Sequence, residues 1–512
     1  MDTATRSDQP AIEPKAQATR ILIGVVLGLL SAAMLILAFP PYNAWPLIFV
    51  AFVPMLLADY RVLPHRFAGL GSGIGIGGWL LVYLTMIFGL DAGTWFMQAF
   101  AVLVAVLAFS GGRGNRLFHH RTGYRWFVPF GVVNTVGIEM LRGFIPIIAT
   151  HAFVGHTLHT QPWLIQPASI FGIYGLDAVI MLVSYALGLA TLDLFDRRWH
   201  WDLQVPAVDR RLNLRWLAGM GIVAAAWVGL SLILLSQAPK DPPTLRVGGV
   251  QHRYVRPGHM DPDTQVARLE ALSKGTRQAA AQGAKLVVWP ELGVGFDPQV
   301  EHTDELRALA AATGTYILIG YGLDTDAGWR NESVMLVPQG EFLDVYGKNY
   351  PAGEPRIVTS GRYLVYDTPL GRLAPIICND INYTAAVRIP TSMGAQLVMV
   401  PTRMFAGVWK EMQVQAVFRA VENRISIAMV DGAFRTTMVD PYGRMVADQV
   451  TPDPSAQTLV ADVPLGNPND VYTRLGDWVG WFCLLAWIGS MIYQSTTNRR
   501  QKKAMEAGPA VM

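Results

Sequence analysis

A carboxylate, an ammonium and a thiol stand at the ends of three separate apolar runs. They are Glu291 in "AKLVVWPEL", Lys348 in "EFLDVYGK" and Cys378 in "LAPIIC". A thiol attacks a carbonyl carbon as the thiolate, and a free thiol holds its proton up to about pH 8.5. A neighbouring carboxylate takes that proton when desolvation raises its own affinity towards neutrality. A lysine ammonium then carries the charge of a tetrahedral oxyanion. Cys, Glu and Lys therefore suffice for acyl transfer through a thioester, with no histidine, metal or cofactor required. Singly, each residue has a plainer reading: a carboxylate in a strand-end turn, a solvated turn lysine, a small buried hydrophobe. None of the ten histidines is near Cys378 in sequence, which argues against a Cys-His pair.

Such a trio needs strands whose ends converge. "TLRVGGVQ" (244–251), "AKLVVWPEL" (284–292) and "TYILIGYG" (315–322) read as strands, with helices over 262–282 and 302–313 between them. "SVMLVP" and "EFLDVYGK" form a hairpin around "QG", where Gly340 suits the turn. "YLVYDTPLGRLAPIICND", "AQLVMVPT" and "ISIAMVDGAF" continue the alternation. This pattern predicts a layered α/β domain, in which strand ends meet at one edge and can gather separated side chains.

The remainder of the chain is of a different kind. Of its 512 residues 52% are apolar and only 15% charged, with 15 Trp, which points to membrane spans. Apolar stretches of about the 20 residues a bilayer requires are read at 21–39, 46–60, 68–90, 95–110, 126–149, 169–192, 216–237 and 474–494. The second is short and interrupted by Pro54. Basic residues mark alternate loops: Arg61 and Arg66; Arg113, Arg116, Arg121 and Arg125; Arg197, Arg198, Arg210, Arg211 and Arg215; Arg499, Arg500, Lys502 and Lys503. The opposite loops, "PPYNAW", "DAGT" and "THAFVGHTLHTQPWLIQPA", hold no Lys or Arg. The positive-inside rule then predicts a cytoplasmic tail (1–20), seven helices (21–237), an extracytoplasmic domain (245–465), an eighth helix (474–494) and a basic cytoplasmic tail (495–512). The first span reads as an uncleaved signal anchor, because no small-residue cleavage site follows it. A net charge of +3 gives no reason to expect a nucleic-acid partner. The second cysteine, Cys483 in "WVGWFCLLAWIG", has no acid or base nearby and reads as a packing residue.

The segments "VVWPEL", "NESVMLVPQGEFLDVYGKNYPAGEP", "TPLGRLAPIICND" and "RAVENRISIAMVDGAFRTTMVDPYGR" together resemble the nitrilase superfamily. With "LAFPPYNAWPL", "IEMLRGF" and "PASIFGIYGLDAV", the whole chain resembles the apolipoprotein N-acyltransferase family. The resemblance implies an αββα sandwich joined to a multi-pass helical domain in the bacterial inner membrane. It makes Cys378 the nucleophile, Glu291 the general base and Lys348 the oxyanion stabiliser, with Glu354 of "PAGEP", Asp380 and Asn379 in support. It also implies a phospholipid acyl donor, the amine of a lipidated N-terminal cysteine as acceptor, and a monomer. Holding such a site against the bilayer spares the extraction of acyl chains, each buried CH₂ being worth about 0.8 kcal/mol.

The chain departs from that family in three places. Asn379 and Asp380 follow the cysteine where the family has Tyr and Glu; 29 residues separate Lys348 from Cys378 where the family has a longer apolar insertion; and "THAFVGHTLHTQPW" replaces a Phe-Pro-Trp loop. His151, His156 and His159 in that loop have no carboxylate or cysteine beside them in sequence, so contact with the membrane interface is preferred to a metal. Glu139 and Arg142, at helical spacing in the fifth span, are expected either to pair inside the bundle or to meet lipid headgroups. Two other activities remain open at this level: a membrane-tethered amidase using the same residues, and a catalytically silent membrane protein that binds lipid or protein.

Overall fold

The computed structural model describes residues 14–90, 94–199, 205–252, 262–354, 356–404, 407–432, 434–450 and 457–506. The N-terminal part contains α1 (Pro14–Ala38), α2 (Val53–Leu57), α3 (Leu70–Phe88), α4 (Trp95–Arg121), α5 (Phe127–Arg142), α6 (Pro162–Ile165), α7 (Ala168–Trp199) and α8 (Arg210–Ser236). Among the described residues six helical stretches are long and apolar enough to cross a membrane: Lys15–Ala38, Trp45–Val62, His65–Phe88, Trp95–Arg121, Ala168–Trp199 and Arg210–Ser236. The fifth and eighth expected spans coincide with α5 and with α14 (Trp478–Glu506), which are outside that set. The 16 residues of α5 fall short of the expected 126–149, because the chain leaves the helix ahead of Pro146 and then turns through left-handed residues. In α14 the apolar run gives way after Tyr493 to polar and basic residues.

The chain divides into two compact units: Met1–Val132, Ile180–Val223 and Ser490–Met512 in one; Val133–Val179 and Ala224–Gly489 in the other. Within the first, the glycines of "LGSGIGIGG" let α3 lie close to α4; a Cβ on Gly77 would come 2.3 Å from that of Ala105. Small residues at helix contacts are the usual means of close packing where lipid offers no hydrophobic drive. Asp59 caps the start of α3, accepting from the N–H groups of Gly69 (3.1 Å), Gly71 (2.8 Å) and Ser72 (3.0 Å).

The second unit contains the layered domain. Its helices are α9 (Pro262–Ala281), α10 (Thr303–Thr313), α11 (Thr384–Ser392), α12 (Trp409–Asn423) and α13 (Val471–Leu475). One sheet consists of β1 (Thr244–Gln251), β2 (Leu286–Val288), β3 (Tyr316–Thr325), β4 (Gly328–Leu336), β5 (Tyr346–Gly347) and β12 (Gln457–Pro464), in the order β12-β1-β2-β3-β4-β5. The other holds β6 (Tyr366–Thr368), β7 (Gly371–Pro375), β8 (Leu397–Thr402), β9 (Ser426–Asp431), β10 (Arg435–Val439) and β11 (Met445–Val450), in the order β11-β10-β9-β8-β7-β6. In each sheet three central strands are parallel (β1-β2-β3 and β7-β8-β9) and the flanking ones antiparallel.

Alternation within the strands builds two cores. Leu286, Val288 and Leu318 face Leu373, Leu397, Met399 and Val430 of the other sheet, while Val287, Ile317 and Ile319 face Leu272 of α9 and Leu309 of α10. Both faces of the central strands are therefore apolar, as parallel strands covered on two sides require. With α12 packed on β9 and β10, the layers run α-β-β-α, as expected. Gly340 turns the hairpin with φ +85°. The strand expected at 284–292 is shorter: the Trp289 N–H still donates to the Leu318 carbonyl (2.9 Å), but Pro290 has no N–H to continue the ladder before the turn that carries Glu291.

Candidate active site

Glu291 is delivered by a turn that the neighbouring strand must make room for. The indole of Trp289 donates to Thr276 Oγ1 on α9 (2.9 Å) and pins the end of β2. The Pro290 carbonyl then lies against Gly320 of β3, where a Cβ would come within 2.3 Å of that oxygen. Only glycine allows this approach. The Glu291 carboxylate is buried, and its Oε1 accepts from Asn331 Nδ2 on β4 (2.7 Å). The Asn331 carbonyl accepts from the Lys348 N–H (2.9 Å), so one residue ties the glutamate to the lysine strand.

Lys348 follows β5 and is 1% exposed. Its Nζ donates to Glu291 Oε1 (2.9 Å) and to Glu354 Oε1 (2.5 Å). The other oxygen of Glu354 accepts from the Ala352 N–H. Burial alone would pull the lysine down. The negative charges of Glu291 and Glu354 outweigh it and hold the ammonium above its ordinary range. For Glu354 burial acts upward, but the ammonium beside it wins and keeps the carboxyl below its usual value.

Cys378 opens a tight turn, Cys378–Asn382, three residues beyond the end of β7, with φ +46°. A non-glycine residue held there stores about 1–3 kcal/mol of strain, which the surroundings must over-determine. The residue is partly exposed, among otherwise buried neighbours. Its thiol lies within electrostatic reach of the Glu291 carboxylate and of the Arg403 N–H beyond β8. Burial pushes the thiol up and the adjacent Glu291 charge pushes it further, with Lys348 opposing. The resting sulfur is therefore a neutral thiol, and a thiol of this kind acts as a nucleophile only where a base takes its proton.

Asp380 holds the two halves together. Its Oδ2 accepts from the Ile377 N–H (2.9 Å) and the Tyr346 hydroxyl (2.8 Å), and its Oδ1 from the N–H groups of Asn349 (3.2 Å) and Tyr350 (2.7 Å). Burial lifts its pKa to about 6 against the Ile377, Tyr346 and Tyr350 donors and the Lys348 charge. Asp380→Asn puts an amide NH₂ where a donor already points, at about 1–3 kcal/mol for each buried group left unpaired. Turnover is expected to fall about 100-fold, with Asp380→Glu no better, as measured by steady-state acyl transfer in detergent.

Asn379 is held by neighbouring polar groups on both sides of its amide. Its Nδ2 donates to the carbonyls of Tyr350 (3.1 Å) and Pro351 (3.4 Å), and its Oδ1 accepts from Asn382 (2.8 Å). The Tyr350 ring stacks on Tyr383 with centroids 3.8 Å apart. An aromatic surface thus adjoins this turn although position 379 lacks one. The short segment after Lys348 folds back on Asn349, whose side chain binds Gly361 and Arg362 backbone groups (2.9 Å each).

The remaining sequence candidates have internal partners. Glu139 Oε1 accepts from the Val154 N–H (3.2 Å), and Arg142 lies over the Phe153 ring at 5.0 Å, so both side chains contact the loop that follows α5. His151 and His156 both turn Nδ1 to Glu411 on α12 (3.5 and 3.2 Å), and His159 Nδ1 meets the His156 carbonyl (3.0 Å). These buried contacts replace the interfacial role expected of the three histidines. Sequence reading missed Asn331, Tyr346, Tyr383 and the Arg403 N–H. Only Tyr346 carried a signal, two residues before Lys348 and hence on the same strand face.

Residues 31–186 match the family model described as apolipoprotein N-acyltransferase N-terminal domain, and residues 246–470 match carbon-nitrogen hydrolase. An apolipoprotein N-acyltransferase from Geobacter metallireducens is 24% identical over 93% of this chain and 95% of its own. One from Gloeobacter violaceus is 24% identical over 96% and 98%. An omega-amidase from Homo sapiens is 26% identical over 33% of this chain and 74% of its own. The crystal structure of an amidase from Nesterenkonia sp. superposes with a TM-score of 0.38 at 26% identity, covering 45% of this chain and 94% of that one. Membrane helices, an α/β sandwich and matches to both family models lead to one assignment: the chain belongs to the apolipoprotein N-acyltransferase family, within the nitrilase superfamily.

Proposed function

We propose that the protein is a phospholipid-dependent N-acyltransferase in which Cys378 carries the acyl group as a thioester. The observation that carries this reading is a partly exposed thiol within electrostatic reach of the buried Glu291 carboxylate, to which the Lys348 ammonium donates (2.9 Å). Glu291 takes the thiol proton as the sulfur attacks the ester carbonyl of the phospholipid. The Lys348 ammonium and the Arg403 N–H stabilise the oxyanion. Collapse expels the glycerol oxygen, which receives the proton from Glu291 and leaves as the lysophospholipid alcohol. The α-amine of a diacylglyceryl-cysteine N-terminus then attacks the thioester. Its proton passes through Glu291 to the departing sulfur, leaving an amide and the free thiol. Eight spans with both termini cytoplasmic, the sandwich outside the cytoplasm and a monomeric state complete the proposal.

A membrane-tethered amidase is the second reading, favoured by the short Lys348–Cys378 segment and the omega-amidase match. One experiment separates the two. Full-length protein in phosphatidylethanolamine vesicles is expected to gain a hydroxylamine-labile acyl mass on Cys378. A diacylated lipopeptide with a free amine then discharges it to an amide. Absence of the thioester overturns the acyltransferase, and discharge to water alone favours the amidase.

A further inference from the structure

Among the described residues, three non-glycine positions in the left-handed region fall within six residues at the end of α5. They are Ile147 (φ 69°), Ala149 (φ 42°) and Ala152 (φ 57°). A β-branched residue at such an angle is a real outlier, and such strain persists only where surrounding contacts enforce it. Here the contacts lead to the nucleophile turn. Thr150 Oγ1 donates to the carbonyl of Asn382 (2.7 Å) and lies 3.0 Å from Gln415 Oε1. The Ile147 N–H donates to the hydroxyl of Tyr383 (3.2 Å). The Ala152 N–H donates to Glu411 Oε1 (3.1 Å), the oxygen that His151 and His156 also face. Glu411 and Gln415 are one turn apart on the same face of α12 and form a fixed base for the segment.

Asn382 and Tyr383 end the turn that Cys378 begins, and the Asn382 side chain reaches back to Asn379. A turn of five residues has little freedom once both ends are held. We propose that segment 147–152 is a positioning clamp, with Thr150 and Tyr383 fixing the far end of the turn so that the Cys378 sulfur stays against Glu291. Neither residue touches the reacting atoms in this scheme. The polar segment thus does, in this chain, a task for which the loop's departure from the family pattern offered no explanation. The proposal rests on Cys378 being the reactive thiol.

The test uses full-length protein in detergent and iodoacetamide, an electrophile whose reaction needs no lipid, with Cys378 and Cys483 resolved by peptide mass. Thr150→Val should slow Cys378 alkylation about tenfold and Tyr383→Phe about threefold, the effect of one hydrogen bond each. Thr150→Ser keeps the hydroxyl and should react within about twofold of wild type, which a packing role for the threonine methyl would not predict. Thermal melts check that each variant is folded. If Thr150→Val unfolds, Tyr383→Phe and Thr150→Ser decide alone. Wild-type rates in the folded variants, or a Thr150→Ser as slow as Thr150→Val, overturn the clamp. A wild-type Cys378 no more reactive than Cys483 overturns the nucleophile assignment as well as the clamp.

Discussion

Replacing Cys378 with alanine is expected to abolish acyl transfer, lowering turnover by at least about 10⁴-fold, because in the proposed mechanism its thiol carries the acyl chain. Alanine occupies the strained φ of +46° no worse than cysteine does, so the fold should survive. The check is a thermal melt beside the activity assay, with loss of the hydroxylamine-labile adduct. Cys378→Ser is a stricter version: the oxygen nucleophile needs the same base but parts with its proton less readily. Cys483→Ala serves as the control, expected within about twofold of wild type, since Cys483 lies on α14 outside the cluster. Full activity in Cys378→Ala would remove the thioester mechanism altogether.

The second large effect is expected at Lys348. Lys348→Met keeps much of the stem but leaves the Glu291 and Glu354 carboxylates facing each other without a cation. Breaking a buried pair on one side costs about 3–5 kcal/mol, and losing the oxyanion partner about 10³-fold in rate. The sign with pH follows from Glu354. Its folded pKa is depressed by the ammonium, so in the wild type its contribution is present above the unfolded value and lost as pH falls through the folded one. In Lys348→Met that depression vanishes, and the stability gap to wild type should widen as pH rises from about 4 to 7. Denaturant melts across this range measure it. Adding Glu354→Gln should recover part of the stability and none of the activity. Recovery of both would make the lysine a structural counter-ion only.

These expectations differ in how far they could be read without a fold. Glu291, Lys348 and Cys378 were legible because each ends an apolar run, and strand ends in a layered α/β domain gather at one edge. The layered α/β domain was legible through short apolar runs that alternate with helical segments, and its αββα form only through the family resemblance, since strands covered on both faces read as continuous apolar runs. Helix limits were less so. The apolar stretch at 126–149 continues past Arg142, where Pro146 and the left-handed residues after it end the helix that composition alone would extend.

By itself the sequence determined the kinds of domain, the order of the three chemical groups and the apolar stretches. All of these depend on local composition and spacing. Tertiary structure alone decided that Asn331 ties Glu291 to Lys348, that Asp380 joins two loops through four donors, and that Glu411 receives two histidines from the loop after α5. The physical reason is common to all three. A buried polar side chain must find partners, and which ones it finds depends on the packing of segments tens to hundreds of residues apart, about which local pattern carries no information.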